Sequence, residues 1–189
     1  MKRSIIAVLS LLALPLAAQA SLFTEDPVPA ISGLGASFDT AFSTSEDVTL
    51  PVVKAIGNAQ KSIRVSAREF ISKPVAEALF RAARAKKDVK IVLDKKSNVA
   101  TGYTAALFLQ TMGYPPHVTK NMDTLYANYI VIDDSDVIVG NIGAITDVDM
   151  GKKNPASVLV IHNAPELAKK YLANWQALWD ASEEMKKEK

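Results

Sequence analysis

The sequence contains no cysteine. That excludes disulfide staples, thiolate metal ligands and a lipid anchor on a cysteine, so stability must come from ordinary core packing. Histidine is nearly as scarce. His117 and His162 are the two present, and no His-x-His or His-x-x-x-His pair exists to seat a metal. There is no glycine-rich phosphate loop, no Ser-His-Asp arrangement and no internal repeat, so neither a metal nor a cofactor is expected. An excess of charge is missing too. The chain has 22 basic and 20 acidic side chains, and Lys2 and Arg3 make up the difference. Balanced charge argues against general nucleic-acid affinity, which rests on phosphate neutralisation, but leaves room for a local basic face. The long apolar run Ile5–Leu16 falls short of the roughly 20 residues that span a bilayer.

That run instead has the layout of a secretory signal peptide. Lys2 and Arg3 precede it, and Ala18-Gln19-Ala20 follows as a small-x-small cleavage site. Residues 1–20 are therefore expected to be removed after Ala20, with the mature chain in the periplasm or outside the cell. Residues 21–35, rich in proline, glycine and acidic side chains, are expected to form a flexible leader. Residues 36–182 suit one domain, and 183–189 a charged, frayed tail.

Within the domain, apolar periodicity alternates between two and 3.6 residues. Strands are expected at 36–43, 62–70, 89–93, 114–118 and 157–161. Helices are expected at 46–59 with Ser45 as cap, after Ser72 with Pro74 in the first turn, at 102–112, and from Asn163 with Glu166 completing a capping box. In the last helix Leu167, Tyr171, Trp175 and Leu178 form a stripe suited to packing on a sheet. Such alternation gives an α/β layered sandwich, a mixed β-sheet flanked by helices.

The chain is organised around 123–143, DTLYANYIVIDDSDVIVGNIG. Two apolar strands, Tyr129–Ile132 and Val137–Val139, flank the polar turn Asp133-Asp134-Ser135-Asp136, and Gly140-Asn141 closes the second. The layout is that of a hairpin. Its spacing resembles the signature of the phospholipase D superfamily, His-x-Lys-x4-Asp followed by a Gly-Ser or Gly-Asn step. Laid on this chain, Tyr126 falls at the His, Asn128 at the Lys and Asp133 at the Asp. Gly140 and Asn141 fall at the phosphate-contacting step. The likeness runs from about Phe38 to Trp179. It is closest to the small secreted endonucleases that carry one signature per chain, through segments such as Lys61–Arg64 and Val89–Asp94, and through Trp175 and Trp179.

The resemblance implies a nuclease-like fold and a homodimer, with two signatures meeting across a two-fold axis. In members with the full signature, one His attacks phosphorus, the other protonates the leaving oxygen, and the Lys residues steady phosphoryl charge. Here both reactive positions differ. A phenol, with a reference pKa of about 10, needs an adjacent base or cation before it attacks, and an amide brings no positive charge. Ala156 stands where an acidic residue precedes the later strand. The expectation is a pseudoenzyme retained for binding or interaction, with a phosphodiester in nucleic acid or a phospholipid headgroup as candidate ligand. The alternative is an active phosphodiesterase rebuilt around Tyr126, Asn128, Asp133 and Asn141. His117 is a surface-loop histidine in the plainer interpretation and an accessory site residue in the other. Lys95 and Lys96 are a solvated helix end or a phosphate-facing rim, since open α/β sheets bind ligands beyond strand C-termini. Asp133, Asp134 and Asp136 lack the glycine and distal glutamate of a calcium loop, which favours a plain turn.

Overall fold

The computed structural model of the chain describes residues 35–98, 104–143 and 155–186. Residues 1–20, expected to be a signal peptide, and nearly all of the expected leader 21–35 lie outside these residues. The elements in order are β1 (Ser37–Phe42), α1 (Thr49–Asn58), β2 (Ser62–Ala67), α2 (Lys73–Arg84), β3 (Asp88–Leu93), α3 (Lys95–Asn98), α4 (Ala105–Thr111), β4 (His117–Thr119), β5 (Tyr129–Ile132), β6 (Asp136–Gly140), β7 (Ser157–His162), α5 (Pro165–Asp180) and β8 (Ser182–Glu184). The strands form one mixed sheet in the order β1-β7-β6-β5-β2-β3-β4-β8. β2, β3 and β4 run parallel to one another, as crossovers carrying helices require. β5 then lies antiparallel against β2, with Ile63 across from Ile132 and Ser66 across from Tyr129.

Strand alternation divides the core into two layers. All four residues of β5 are buried. Ile130 and Ile132 join Ile56, Leu79 and Leu109 under α1, α2 and α4. Tyr129 and Val131 join Trp175 and Leu178 under α5. The stripe expected on the last helix is therefore the packed one, and Trp175 adds a buried bond from Nε1–H to the Val65 carbonyl, 2.9 Å. In α2, Val75, Ala76, Leu79 and Ala82 are buried, while Arg81 and Arg84 occupy the last turn, where positive charge suits the helix dipole.

The helix starts differ from expectation. α1 begins at Thr49, and the Asp47 carboxylate rather than Ser45 accepts from the Thr49 backbone N–H, 2.8 Å. Ser45 closes a turn onto the Phe42 carbonyl instead. Ser72 does sit at the cap position of α2, but its hydroxyl makes no cap bond and is buried without a partner among the described residues. Asn163 does not cap α5. It takes a left-handed conformation at φ 54°, and α5 starts two residues later at Pro165. α4 is capped by the Thr104 hydroxyl, which accepts from Leu107 N–H. The tail is not wholly frayed, since β8 pairs with β4, His117 opposite Glu184. No helix among the described residues is long and apolar enough to cross a membrane.

Candidate functional site

The two ends of β5 have separate roles. At the lower end, Asp133 and Asp134 take φ of 52° and 57°, the left-handed values that a tight hairpin turn demands of its central residues. Asp133 spends both carboxylate oxygens on backbone. Oδ2 accepts from Gln60 N–H at 2.6 Å, and Oδ1 accepts from Lys61 and Ser62 N–H at 2.7 and 2.9 Å. Partial burial opposes ionisation of this carboxyl, but the three N–H donors and the nearby Lys87 charge outweigh it and hold the pKa below the usual carboxylate value. The four residues of β5, a rise of roughly 17 Å over five steps, separate it from Asn128. Asp133 is a structural clamp between the hairpin and β2, and the structure does not bring it together with Tyr126 and Asn128. Ser135 Oγ and Asn163 N–H occupy Asp136 Oδ1 in the same way. Among the described residues no cluster of His, Asp and Glu could hold a metal ion.

At the upper end, Tyr126, Asn128, Gly140 and Asn141 do gather. β5 and β6 pair Tyr129 with Val139, and one further step of that register sets Asn128 across from Gly140. Gly140 has φ 128°, and a Cβ there would come within 2.2 Å of the Ser157 carbonyl oxygen. Only glycine lets β6 approach β7 so closely. Asn141 N–H then donates to the same Ser157 oxygen, at 3.2 Å, and Asn141 itself is exposed.

Asn128 is committed to the protein. Its Oδ1 accepts from Arg68 N–H at 2.9 Å, and its Nδ2 donates to the Tyr126 carbonyl at 3.0 Å. Tyr126 is 73% exposed. No described residue hydrogen-bonds its phenol. The Arg68 guanidinium lies over its ring, 5.5 Å from the centroid. Below this pair lies a buried brace. Asn98 Nδ2 donates to the Arg68 carbonyl at 2.6 Å and the Asp94 carbonyl at 2.8 Å, while its Oδ1 accepts from Phe70 N–H. The Asp94 carboxylate accepts from Ser97 and Leu125 N–H. Burial pushes that carboxyl up, yet these donors and the charge of Arg68 hold it below its ordinary value.

The accessory candidates lie elsewhere. His117 is in β4, three strand spacings from β5, about 14 Å across the sheet. Its ring stacks on Trp179 at 3.6 Å between centroids, and Trp179 stacks on Trp175. Ser182 donates its single hydroxyl proton to the Trp179 carbonyl, so His117 Nδ1 must carry the proton of the 2.9 Å contact with Ser182. Burial lowers the His117 pKa, with Lys120 and Lys90 adding to the effect and Glu184 opposing it. Lys95 pairs with Glu183 at 3.2 Å and Lys96 with Asp123 at 3.7 Å, so both rim cations face acids.

The profile of the family described as "Cardiolipin synthase, PLD-like domain" matches residues 52–179. The chain belongs to the phospholipase D-like family. Among solved structures, this phospholipase D-like chain is similar to Nuc from Salmonella typhimurium, a phospholipase D family member. The two share 27% identity at a TM-score of 0.71, over 80% of this chain and 99% of that one. It also shares the fold of NucT from Helicobacter pylori (17% identity, TM-score 0.65, 79% of this chain and 100% of that one). TrmBL2, an archaeal chromatin protein with a novel mode of DNA binding, shares the fold at 16% identity and a TM-score of 0.55, over 90% of this chain and 60% of that one. No curated protein sequence matches the chain.

Sequence reasoning missed Arg68, Asn98 and Thr104. Arg68 was accessible in principle, as the residue that leaves the C-terminal end of an apolar strand. Asn98 carries little local signal, because two of its three partners, Arg68 and Phe70, lie about thirty residues away.

Proposed function

We propose that this phospholipase D-like protein is exported, does not transfer phosphoryl groups, and keeps its site for binding. The observation that carries this is Asn128. At the position of the signature lysine stands an amide already bonded to Arg68 and Tyr126. It has no charge to offer a phosphoryl oxygen, and no described group stands ready to deprotonate Tyr126. Export to the periplasm or beyond is supported by the pattern of residues 1–20. Pairing of two chains through the site face follows from the one signature per chain, and closed two-fold dimers are the commonest assemblies. A phosphodiester is the ligand class that the family resemblance supports.

The test is hydrolysis. Purified protein is expected to leave bis-(p-nitrophenyl) phosphate, plasmid DNA and phosphatidylcholine intact. Loss of a single oxyanion contact typically costs ~10²–10³ in rate, and here nucleophile and cation both differ. The double change Tyr126→His with Asn128→Lys is expected to introduce weak turnover. Wild-type turnover that disappears in Tyr126→Phe would overturn the proposal and make Tyr126 the nucleophile.

A further inference from the structure

Arg68 occupies no signature position, yet the upper end of the sheet is built around it. Its backbone is fixed on both sides by side-chain amides. Asn128 Oδ1 takes its N–H, and Asn98 Nδ2 holds its carbonyl oxygen. Asn98 is 1% exposed and has all its polar atoms engaged, so this brace is rigid. Asn128 in turn holds the Tyr126 carbonyl, which places the Tyr126 ring against the Arg68 guanidinium. Arg68 is itself exposed and makes no ion pair among the described residues. The nearest buried acid, Asp94, has its carboxylate engaged by two backbone N–H groups. Lys95 and Lys96, by contrast, are paired with Glu183 and Asp123.

We propose that Arg68, held over Tyr126, binds the phosphodiester anion at this site. It would supply there the positive charge that Asn128 does not. The inference rests on the binding-only reading of the site given above. A guanidinium presents a planar fork that meets two phosphate oxygens at once. Holding it against an aromatic face reduces the side-chain freedom lost when the anion arrives. Asn128 is a positioning residue that fixes both members of the pair. The geometry favours binding over a rebuilt nucleophile, because the cation sits over the ring face and not at the phenol oxygen, where a phenolate would need it.

The experiment is calorimetric titration of the full chain with three probes: inorganic phosphate, glycerophosphocholine and a thymidine dinucleotide. Each is run on wild type, Arg68→Gln, Arg68→Lys and Lys95→Gln. All variants change exposed side chains, and circular dichroism checks their folding. Wild type is expected to bind at least one diester. Arg68→Gln is expected to weaken that binding about 10–100-fold, as loss of a charge-assisted bond does. Arg68→Lys is expected to recover part of it, and Lys95→Gln to match wild type. Preference for the dinucleotide assigns the ligand to nucleic acid, and preference for glycerophosphocholine assigns it to a lipid headgroup. Either upholds the role of Arg68. No binding of any probe by wild type, or unchanged binding by Arg68→Gln, overturns it. Cleavage of the dinucleotide during titration is read separately by chromatography. It would overturn the binding-only reading, while the Arg68→Gln comparison would still decide the anion contact.

Discussion

Asp133, the residue that the family resemblance laid on the signature aspartate, shows how one side chain can serve a fold. It satisfies three successive N–H groups at the start of β2 while adopting a left-handed backbone that few residues tolerate. Asp133→Ala loses both features, and unfolding in urea should show a loss of about 2–3 kcal/mol. Asp133→Asn keeps one acceptor oxygen and the left-handed tolerance, so it should cost less. The pH dependence has a definite sign. The folded pKa lies below the unfolded value, so the contribution of Asp133 is complete above about pH 4 and declines as pH falls through the folded value. The acid limb of the stability profile should therefore be shallower in Asp133→Asn than in wild type.

Among the elements, edge strand β1 pairs with β7 from Ser37–His162 to Phe42–Ser157, and one histidine adds a side-chain tie to that ladder. His162 in β7 meets Asp136 of β6 at 2.7 Å through Nδ1 and Asp39 of β1 at 3.2 Å through Nε2. The bond to Asp136 raises the His162 pKa most, burial opposes it, and Asp39 raises it further. A raised folded pKa means that the contribution is complete below about pH 6.5 and is lost as pH rises through the folded value. The side chain is 31% exposed, so solvent screening keeps the effect within about 1 kcal/mol. Thermal melts at pH 6 and pH 8.5 should differ more for wild type than for His162→Gln. Equal differences would remove the latch. This latch was not legible in the sequence, because Asp39, Asp136 and His162 converge only through strand pairing. The strands themselves were legible, since Val89–Leu93 and Tyr129–Ile132 carry their burial in their composition. The hairpin was legible for the same reason, together with its glycine. Caps were not. Asp47 displaced Ser45 at the start of α1, and Asn163 lies outside α5, because the surrounding chain path, rather than local propensity, set where each helix could begin. Of the positions marked by the family resemblance, the structure sets Tyr126, Asn128 and Gly140 at one end of the hairpin, with Asn141 beside them. His117 was misplaced because a sequence separation of nine residues carries no information about three intervening strand spacings.

For the whole molecule, the proposed pairing through the site face is open to direct measurement. Light scattering at roughly tens of micromolar, where specific interfaces of modest affinity are occupied, should give twice the chain mass. A monomer at that concentration would count against the pairing. The strand order has a further effect, on the timing of assembly. The first strand of the sheet, β1, has β7 as its one neighbour, and its opening pair joins Ser37 to His162. β2, made soon afterwards, gains β3 quickly but must wait for β5 to cover its other side. A growing polypeptide that has not yet reached Ser157 thus holds one strand with nothing to pair with and an open edge on the hairpin, both of which invite association with other chains. Such non-local pairing delays folding until most of the chain is available. A protein that has to pass through a membrane before it folds, as the export proposed here requires, gains from that delay.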